Sequence, residues 1–124
     1  MKTETVVAAL AALAQATRLD VYRLLVQQGP SGLAAGEIAA QLRLAPATLS
    51  FHLKELSRAG LLKSRQEGRF IYYAADFATM NALLAYLTEN CCAADCPPGG
   101  ACLPAVACAP GRAATRKAGR KVST

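Results

Sequence analysis

The apolar positions in the first sixty residues recur at the three- and four-residue spacing of amphipathic helices. The pattern predicts helices over 6–16, 18–28, 35–42 and 46–59, with a loop at 31–34. Gly29-Pro30 is expected to end the second helix, because glycine adopts a left-handed turn and proline cannot continue a helix. Pro46 suits the first turn of the fourth helix, where its missing N–H costs no hydrogen bond.

The pattern changes to short strands after the fourth helix. Two stretches with strand character, at 62–66 and 69–75, flank Glu67-Gly68, which is typical of a hairpin turn. The expected fold is therefore mainly α with a small β-hairpin. A short helix, a tight turn, a longer helix and a hairpin form the winged helix-turn-helix arrangement, here in the order α-α-α-α-β-β-α.

A last helix is expected over 77–90, with Asp76 as its N-cap. A chain of 124 residues has only a thin core. Its first and last helices would therefore each leave an apolar stripe uncovered. We predict a symmetric homodimer whose subunits meet through 6–16 and 77–87.

The chain is expected to divide unevenly. Residues 1–96 would form the winged-helix DNA-binding and dimerisation domain, and 97–124 a flexible basic tail rich in proline, glycine and alanine.

The net charge of +6 is unevenly distributed, because 1–90 hold nine Lys and Arg against seven Asp and Glu, and 91–124 hold five against one. The folded part is thus only mildly basic. Its basic excess lies at 37–69, with six basic against three acidic residues, where a DNA-facing surface would need it.

A cytoplasmic location is expected, without contact with a membrane. No apolar run approaches the ~18–20 residues of a membrane span. The short run after Lys2 resembles a signal peptide poorly, because Glu4 interrupts the basic region and the apolar residues repeat at helical spacing.

The fourth helix is the expected recognition helix for the DNA major groove. With its leucines turned to the core, we expect these side chains on or near its outer face: Thr48, Ser50, Phe51, His52 and Lys54. Their hydroxyl, imidazole and ammonium groups suit base edges and phosphates. In the hairpin, Arg65 and Arg69 flank the tip and are expected to grip phosphates or enter the minor groove. His52 or Lys54 taken alone fits an ordinary solvated surface equally well, so the interpretation depends on the ordered set of elements.

All five cysteines lie in the last third of the chain: Cys91, Cys92, Cys96, Cys102 and Cys108. An odd number clustered at one end is a poor disulfide framework, and in a reducing cytosol such a cluster more often binds a soft metal or senses redox state. Cys91 continues the apolar stripe of the last helix, so a buried structural role is an alternative for it. Cys92 lies about 100° round that helix, so burial does not explain both.

No catalytic constellation is visible in the sequence. The single histidine has no nucleophile or acid partner in its sequence context, and no glycine-rich loop would cradle a phosphate. The protein is not expected to be an enzyme.

The stretch 45–56, APATLSFHLKEL, with Ala59-Gly60-Leu61-Leu62 after it, resembles the recognition helix and following strand of the ArsR/SmtB family of metal-sensing repressors. Its Ser-x-His-Leu-Lys-x-Leu core matches closely. The wing of that family is similar to 67–73, and the resemblance covers about 6–96. It implies an obligate dimer built from the first and last helices, binding to double-stranded operator DNA without any cofactor, and release when a metal binds.

The resemblance also implies where the inducer binds. One arsenic-sensing type of the family has a Cys-Val-Cys motif before the recognition helix, but 33–38 contain no cysteine, and the zinc-sensing type needs histidines that 76–124 lack. Cys91, Cys92 and Cys96 resemble the site of arsenite-responsive members whose ligands follow the last helix. Three thiolates suit trivalent arsenic (arsenite) or antimonite better than zinc, which takes four ligands.

The cysteine cluster also fits other functions. Cys102 and Cys108 lie beyond a Pro-Pro-Gly-Gly break and are less favoured as primary ligands. The same thiols would also serve a redox-sensing or other soft-metal-sensing repressor of this fold. A thiol-rich metalloid carrier that binds no DNA is the alternative from another class of protein.

Overall fold

The computed structural model describes residues 1–94, and these form five helices and three strands. In chain order they are α1 (Thr3–Leu13), α2 (Ala16–Gln28), β1 (Leu33–Ala34), α3 (Ala35–Leu42), α4 (Pro46–Arg58), β2 (Leu62–Glu67), β3 (Phe70–Ala75) and α5 (Phe77–Leu87). The predicted fold class is confirmed, since α3, α4 and the β2–β3 hairpin form a winged helix-turn-helix. The predicted tail, 97–124, lies outside the described residues.

Residues Met1–Leu83 form one compact unit, and a second unit begins at Leu84. The core of the first is built from side chains with almost no exposed surface: Val21, Leu25, Ile38, Leu49, Leu56 and Leu61. Arg43, in a left-handed conformation, ends α3 and turns the chain toward Pro46, the first residue of α4. Burial of the leucine stripe thus fixes the recognition helix against α3.

The sheet contains a strand that the sequence pattern did not predict. Leu33 and Ala34, expected in a loop, pair with Tyr73 and Tyr72, so the antiparallel order is β1-β3-β2. Two residues are too few to show an alternating pattern, and their partners lie far along the chain. Gly32 makes this pairing possible, because its positive φ of 72° and missing side chain let the chain pass against the Tyr73 carbonyl.

Tyr22 of α2 is a buried polar group on the core side of the first unit. Burial raises the pKa of its phenol, and the negative charge of Asp76 raises it further. The hydroxyl has no hydrogen-bond partner among residues 1–94. Tyr22 therefore stays neutral at physiological pH, and its ring packs in the core.

Candidate DNA-binding face and thiol pair

One face of α4 and the base of the hairpin enclose an open cleft of about 480 Å³. Four of its lining residues follow the helical spacing i, i+4, i+7 and i+8 along α4, and two come from the strands: Ser50, Lys54, Ser57, Arg58, Ser64 and Tyr73. The lining offers hydroxyl donors and two cations and no carboxylate. Such a surface suits an anion of the size of a nucleic-acid phosphate.

Most of the predicted recognition-helix residues lie where they were expected. Thr48, Ser50, Phe51 and Lys54 are exposed on α4. Phe51 is 56% exposed, and its ring contact is edge-on to His52, with centroids 5.6 Å apart. An aromatic ring held in solvent on this helix is available to a base edge or a thymine methyl group.

The expected position of His52 on the outer face is wrong. Its side chain is only 8% exposed and lies in the core. Leu49, His52 and Leu56 belong to the same buried stripe of α4, because residues three, four and seven apart share one face of a helix. The Nδ1 atom of His52 is buried without a hydrogen-bond partner in the part of the chain that the structure describes. His52 therefore packs in the core, on the buried side of α4.

The two predicted wing arginines differ in their surroundings. Arg69 is exposed at the hairpin turn beside Gly68, whose φ of 64° forms that turn. Arg65 is engaged within the protein: it donates to Glu67 and to the Ser31 carbonyl. Phe70, which the sequence analysis did not select, lies next to Arg69 and is 60% exposed. A large apolar residue two positions after a hairpin glycine was the signal available for it.

Four of the cleft residues were not predicted from the sequence: Ser57, Arg58, Ser64 and Tyr73. Extending the helical spacing from Ser50 and Lys54 finds the first two, but only the folded hairpin brings the other two beside α4. Arg58 forms an exposed ion pair with Glu55 at 3.3 Å. Exposed pairs of this kind are weak, about 0–1 kcal/mol, so the guanidinium remains available to an anion.

The thiol pair follows the last helix rather than continuing it. α5 ends at Leu87, and the Thr88 hydroxyl donates to the Leu84 carbonyl at 2.8 Å. Asn90 and Cys92 both have left-handed φ values, near 58° and 59°, which turn the chain tightly. Cys91 therefore lies exposed in a turn, and the alternative of a buried cysteine on the helical stripe is not supported.

The turn brings the Sγ atoms of Cys91 and Cys92 to 3.5 Å from each other. This distance is well beyond the ~2.05 Å of a disulfide bond, and it allows two sulfurs to approach one ion. Cys96, the predicted third ligand, lies outside the described residues, as do Cys102 and Cys108. Within residues 1–94 there is no group of three His, Cys, Asp or Glu side chains placed to hold a metal ion.

Over the same described residues, no helix combines the length and the apolar character needed to cross a membrane.

Comparison with known proteins adds independent evidence. A family model described as a helix-turn-helix domain matches residues 13–65. The transcriptional activator HlyU of Vibrio cholerae serotype O1 is 30% identical over 86 residues, which cover 69% of this chain and 77% of HlyU.

The solved structures that are similar to this chain include three transcriptional regulators. An ArsR-like transcriptional regulator from Rhodococcus sp. RHA1 has a TM-score of 0.61 and 28% identity, covering 68% of this chain and 76% of its own. The homodimeric winged helix-turn-helix DNA-binding domain of a possible ArsR-family regulator from Mycobacterium bovis has a TM-score of 0.56 and 31% identity, covering 70% and 81%. The AntR antimony-specific transcriptional repressor has a TM-score of 0.54 and 29% identity, covering 66% and 73%.

Proposed function

Because this chain belongs to the ArsR family of winged helix-turn-helix transcriptional regulators, we propose that it is a homodimeric repressor that trivalent arsenic or antimony releases from operator DNA. In this proposal it acts in the cytoplasm, by binding and not by catalysis. DNA binding needs no cofactor, and the metalloid is the inducer.

The cleft between α4 and the hairpin is the observation that carries the DNA-binding half. Ser50 and Lys54 belong both to the exposed face of the recognition helix and to the cleft lining. A helix lying in the major groove would therefore bring a backbone phosphate toward Lys54 and Arg58 while Thr48 and Phe51 face the base edges. Arg69 and Phe70, exposed at the tip of the wing, would reach the adjacent groove.

The 3.5 Å approach of Cys91 and Cys92 is the observation that supports the sensing half. Thiolates are the preferred ligands of soft ions, and a trivalent metalloid needs three of them, the third being assigned to Cys96. The AntR repressor is a similar protein that is specific for antimony. The thiol turn directly follows α5, the proposed dimer helix. A metalloid that binds more tightly in the dimer arrangement unsuited to DNA must weaken DNA affinity by the same factor, about 5–150-fold.

A redox switch through the same sulfurs is the second candidate, favoured by the same short distance. Oxidation would join two sulfurs that already lie near each other, and it would need no third ligand. Another soft metal is the remaining option for a thiol site. The metalloid carrier without DNA binding is disfavoured by the exposed face of α4.

One experiment separates these functions. A fluorescein-labelled duplex, enriched from a random-sequence pool by binding to the protein, is followed by fluorescence anisotropy. Arsenite or antimonite with a reductant present, zinc, and hydrogen peroxide without reductant are added in separate titrations. The proposal expects release by the metalloids only. Release by peroxide alone would indicate the redox switch. Failure to enrich any duplex would indicate the metalloid carrier that binds no DNA.

Ser50→Ala and Lys54→Ala are each expected to weaken binding to the enriched duplex by about 5- to 150-fold, because contacts in the groove contribute ~1–3 kcal/mol. Neither change should alter the thermal midpoint, since both side chains are exposed. Anisotropy titrations and thermal denaturation measure the two effects. His52→Ala is the contrasting variant. Removal of its buried ring should lower the thermal midpoint of unfolding, which the two α4 surface variants leave unchanged. If both α4 variants bind the duplex with unchanged affinity, the DNA-binding surface lies elsewhere on the protein.

The protein is expected to be a dimer at micromolar concentration. Val7 and Leu10 on α1, and Leu84 and Leu87 on α5, are large apolar side chains exposed in the single chain. Pairing of two copies would remove them from water. Sedimentation equilibrium measures the mass, and Leu10→Glu should shift it toward the monomer, whereas Leu19→Glu on α2 is the control. A monomeric wild-type protein would contradict this expectation.

A further inference from the structure

The side chain of Arg65 extends across the three-stranded sheet. Arg65 on β2 lies opposite Tyr72 on β3, and Tyr72 lies opposite Ala34 on β1, so the three residues form one row across the strands. The guanidinium carbon of Arg65 is 4.8 Å from the centroid of the Tyr72 ring, within the range of a cation–π interaction. The side chain thus lies over the Tyr72 ring of β3, the strand that pairs with β1.

The guanidinium donates two hydrogen bonds. Its Nη1 donates to the Ser31 carbonyl at 2.9 Å, across a sequence separation of 34 residues. Its Nε donates to Oε2 of Glu67 at 2.7 Å, a short charge-assisted bond within the same strand. Both contacts and the ring stacking require the planar fork of arginine, which lysine does not have.

We propose that Arg65 is a positioning residue of the wing: through Ser31 and Tyr72 it fixes the hairpin relative to the helix-turn-helix. This inference rests on the proposed DNA-binding function and names a role within it. Ser31 precedes β1, and β1 leads without a linker into α3. The Arg65 bridge, meaning the contacts of this side chain with Ser31, Glu67 and Tyr72, therefore connects the wing to the start of the helix-turn-helix.

The position of the wing affects DNA affinity, because α4 and the wing must contact the same duplex at the same time. If the hairpin moves freely, ordering it on DNA costs conformational entropy and weakens binding. Arg65 would then raise DNA affinity without neutralising a phosphate. This differs from the role expected from the sequence, in which Arg65 and Arg69 both grip phosphates or enter the minor groove.

Salt dependence distinguishes the two roles, because each phosphate contact contributes about 0.9 to the slope of log K against log salt concentration. We would measure binding of the enriched duplex across a salt series for wild type, Arg65→Lys, Arg65→Gln, Tyr72→Leu and Arg69→Gln. Hydrogen exchange of the β1 amides in the free protein is the second readout. Arg69→Gln is the matched control, since that exposed arginine lies at the same hairpin.

The bridge predicts that Arg65→Lys and Arg65→Gln each weaken binding about 10-fold with the wild-type salt slope, and that both speed exchange in β1. Tyr72→Leu should have the same effects, and combining it with Arg65→Gln should add little. Arg69→Gln should lower the slope by about 1.8, which is about 0.9 for each subunit of the dimer, and leave β1 exchange unchanged. Full binding by Arg65→Lys together with a lower slope for Arg65→Gln would overturn the inference. A wild-type protein that binds no duplex would overturn the proposed function, while the exchange rates would still test the bridge.

Discussion

Replacing Cys91 or Cys92 by serine is expected to give a protein that binds the enriched duplex normally but is no longer released by arsenite. Serine is close to cysteine in size, yet its hydroxyl is not a soft anionic ligand. Cys91 is exposed, so the substitution leaves the fold and DNA affinity intact. For wild type, saturating arsenite should weaken DNA binding about 5–150-fold, and each variant should lose this change. Anisotropy titrations with and without arsenite, under constant reductant, measure it.

The remaining cysteines provide the controls for this experiment. Cys96→Ser should also abolish the response, because it removes the proposed third thiolate. The double variant Cys102→Ser plus Cys108→Ser should respond like wild type. If the double variant is blind to arsenite while Cys96→Ser still responds, the third ligand has been assigned wrongly. If Cys91→Ser and Cys92→Ser both still respond, the proposed site is wrong altogether.

Gly32→Ala is expected to lower the free energy of unfolding by about 2–5 kcal/mol. A Cβ at this position would overlap the Tyr73 carbonyl and touch the Ala74 side chain. The φ of 72° adds the cost of a left-handed conformation for an L-residue, about 1–2 kcal/mol, and overpacking adds ~1–3 kcal/mol. The β1–β3 pairing must shift to relieve the overlap. Urea denaturation followed by circular dichroism, at equal protein concentrations, measures the loss.

Two other glycines separate the causes. Gly60 has a φ of 83° at the end of α4 but nothing within 4 Å of an added Cβ, so Gly60→Ala measures the cost of a left-handed backbone alone. Gly36 lies within α3 in open space, and Gly36→Ala should raise stability by about 0.5–1 kcal/mol. If Gly32→Ala costs no more than Gly60→Ala, the close approach to β3 does not matter to the fold.

The helices and turns of the DNA-binding half were determined by the sequence at short range. The predicted bounds of α3 agree with the structure at both ends, and Pro46 begins α4 as expected. The hairpin turns at Gly68 for a similarly local reason, its positive φ. Periodicity, proline and glycine act through neighbours a few residues away, so the chain carries these signals wherever it folds. The same local signals predicted the order of the helices and of the β2–β3 hairpin, and with it the fold class.

Where side chains point and what they bind was decided by the tertiary structure. His52 appeared to lie outward when only leucines were assigned to the core, and the packed stripe of α4 buries it. β1 exists because Tyr72 and Tyr73 supply its partners, and Arg65 faces Ser31 because that pairing brings the two together. α5 stops at Leu87, which places Cys91 in a turn beside Cys92 rather than on a helical face. Each of the first three outcomes depends on contacts between residues distant in sequence. Patterns of neighbouring residues do not record such contacts.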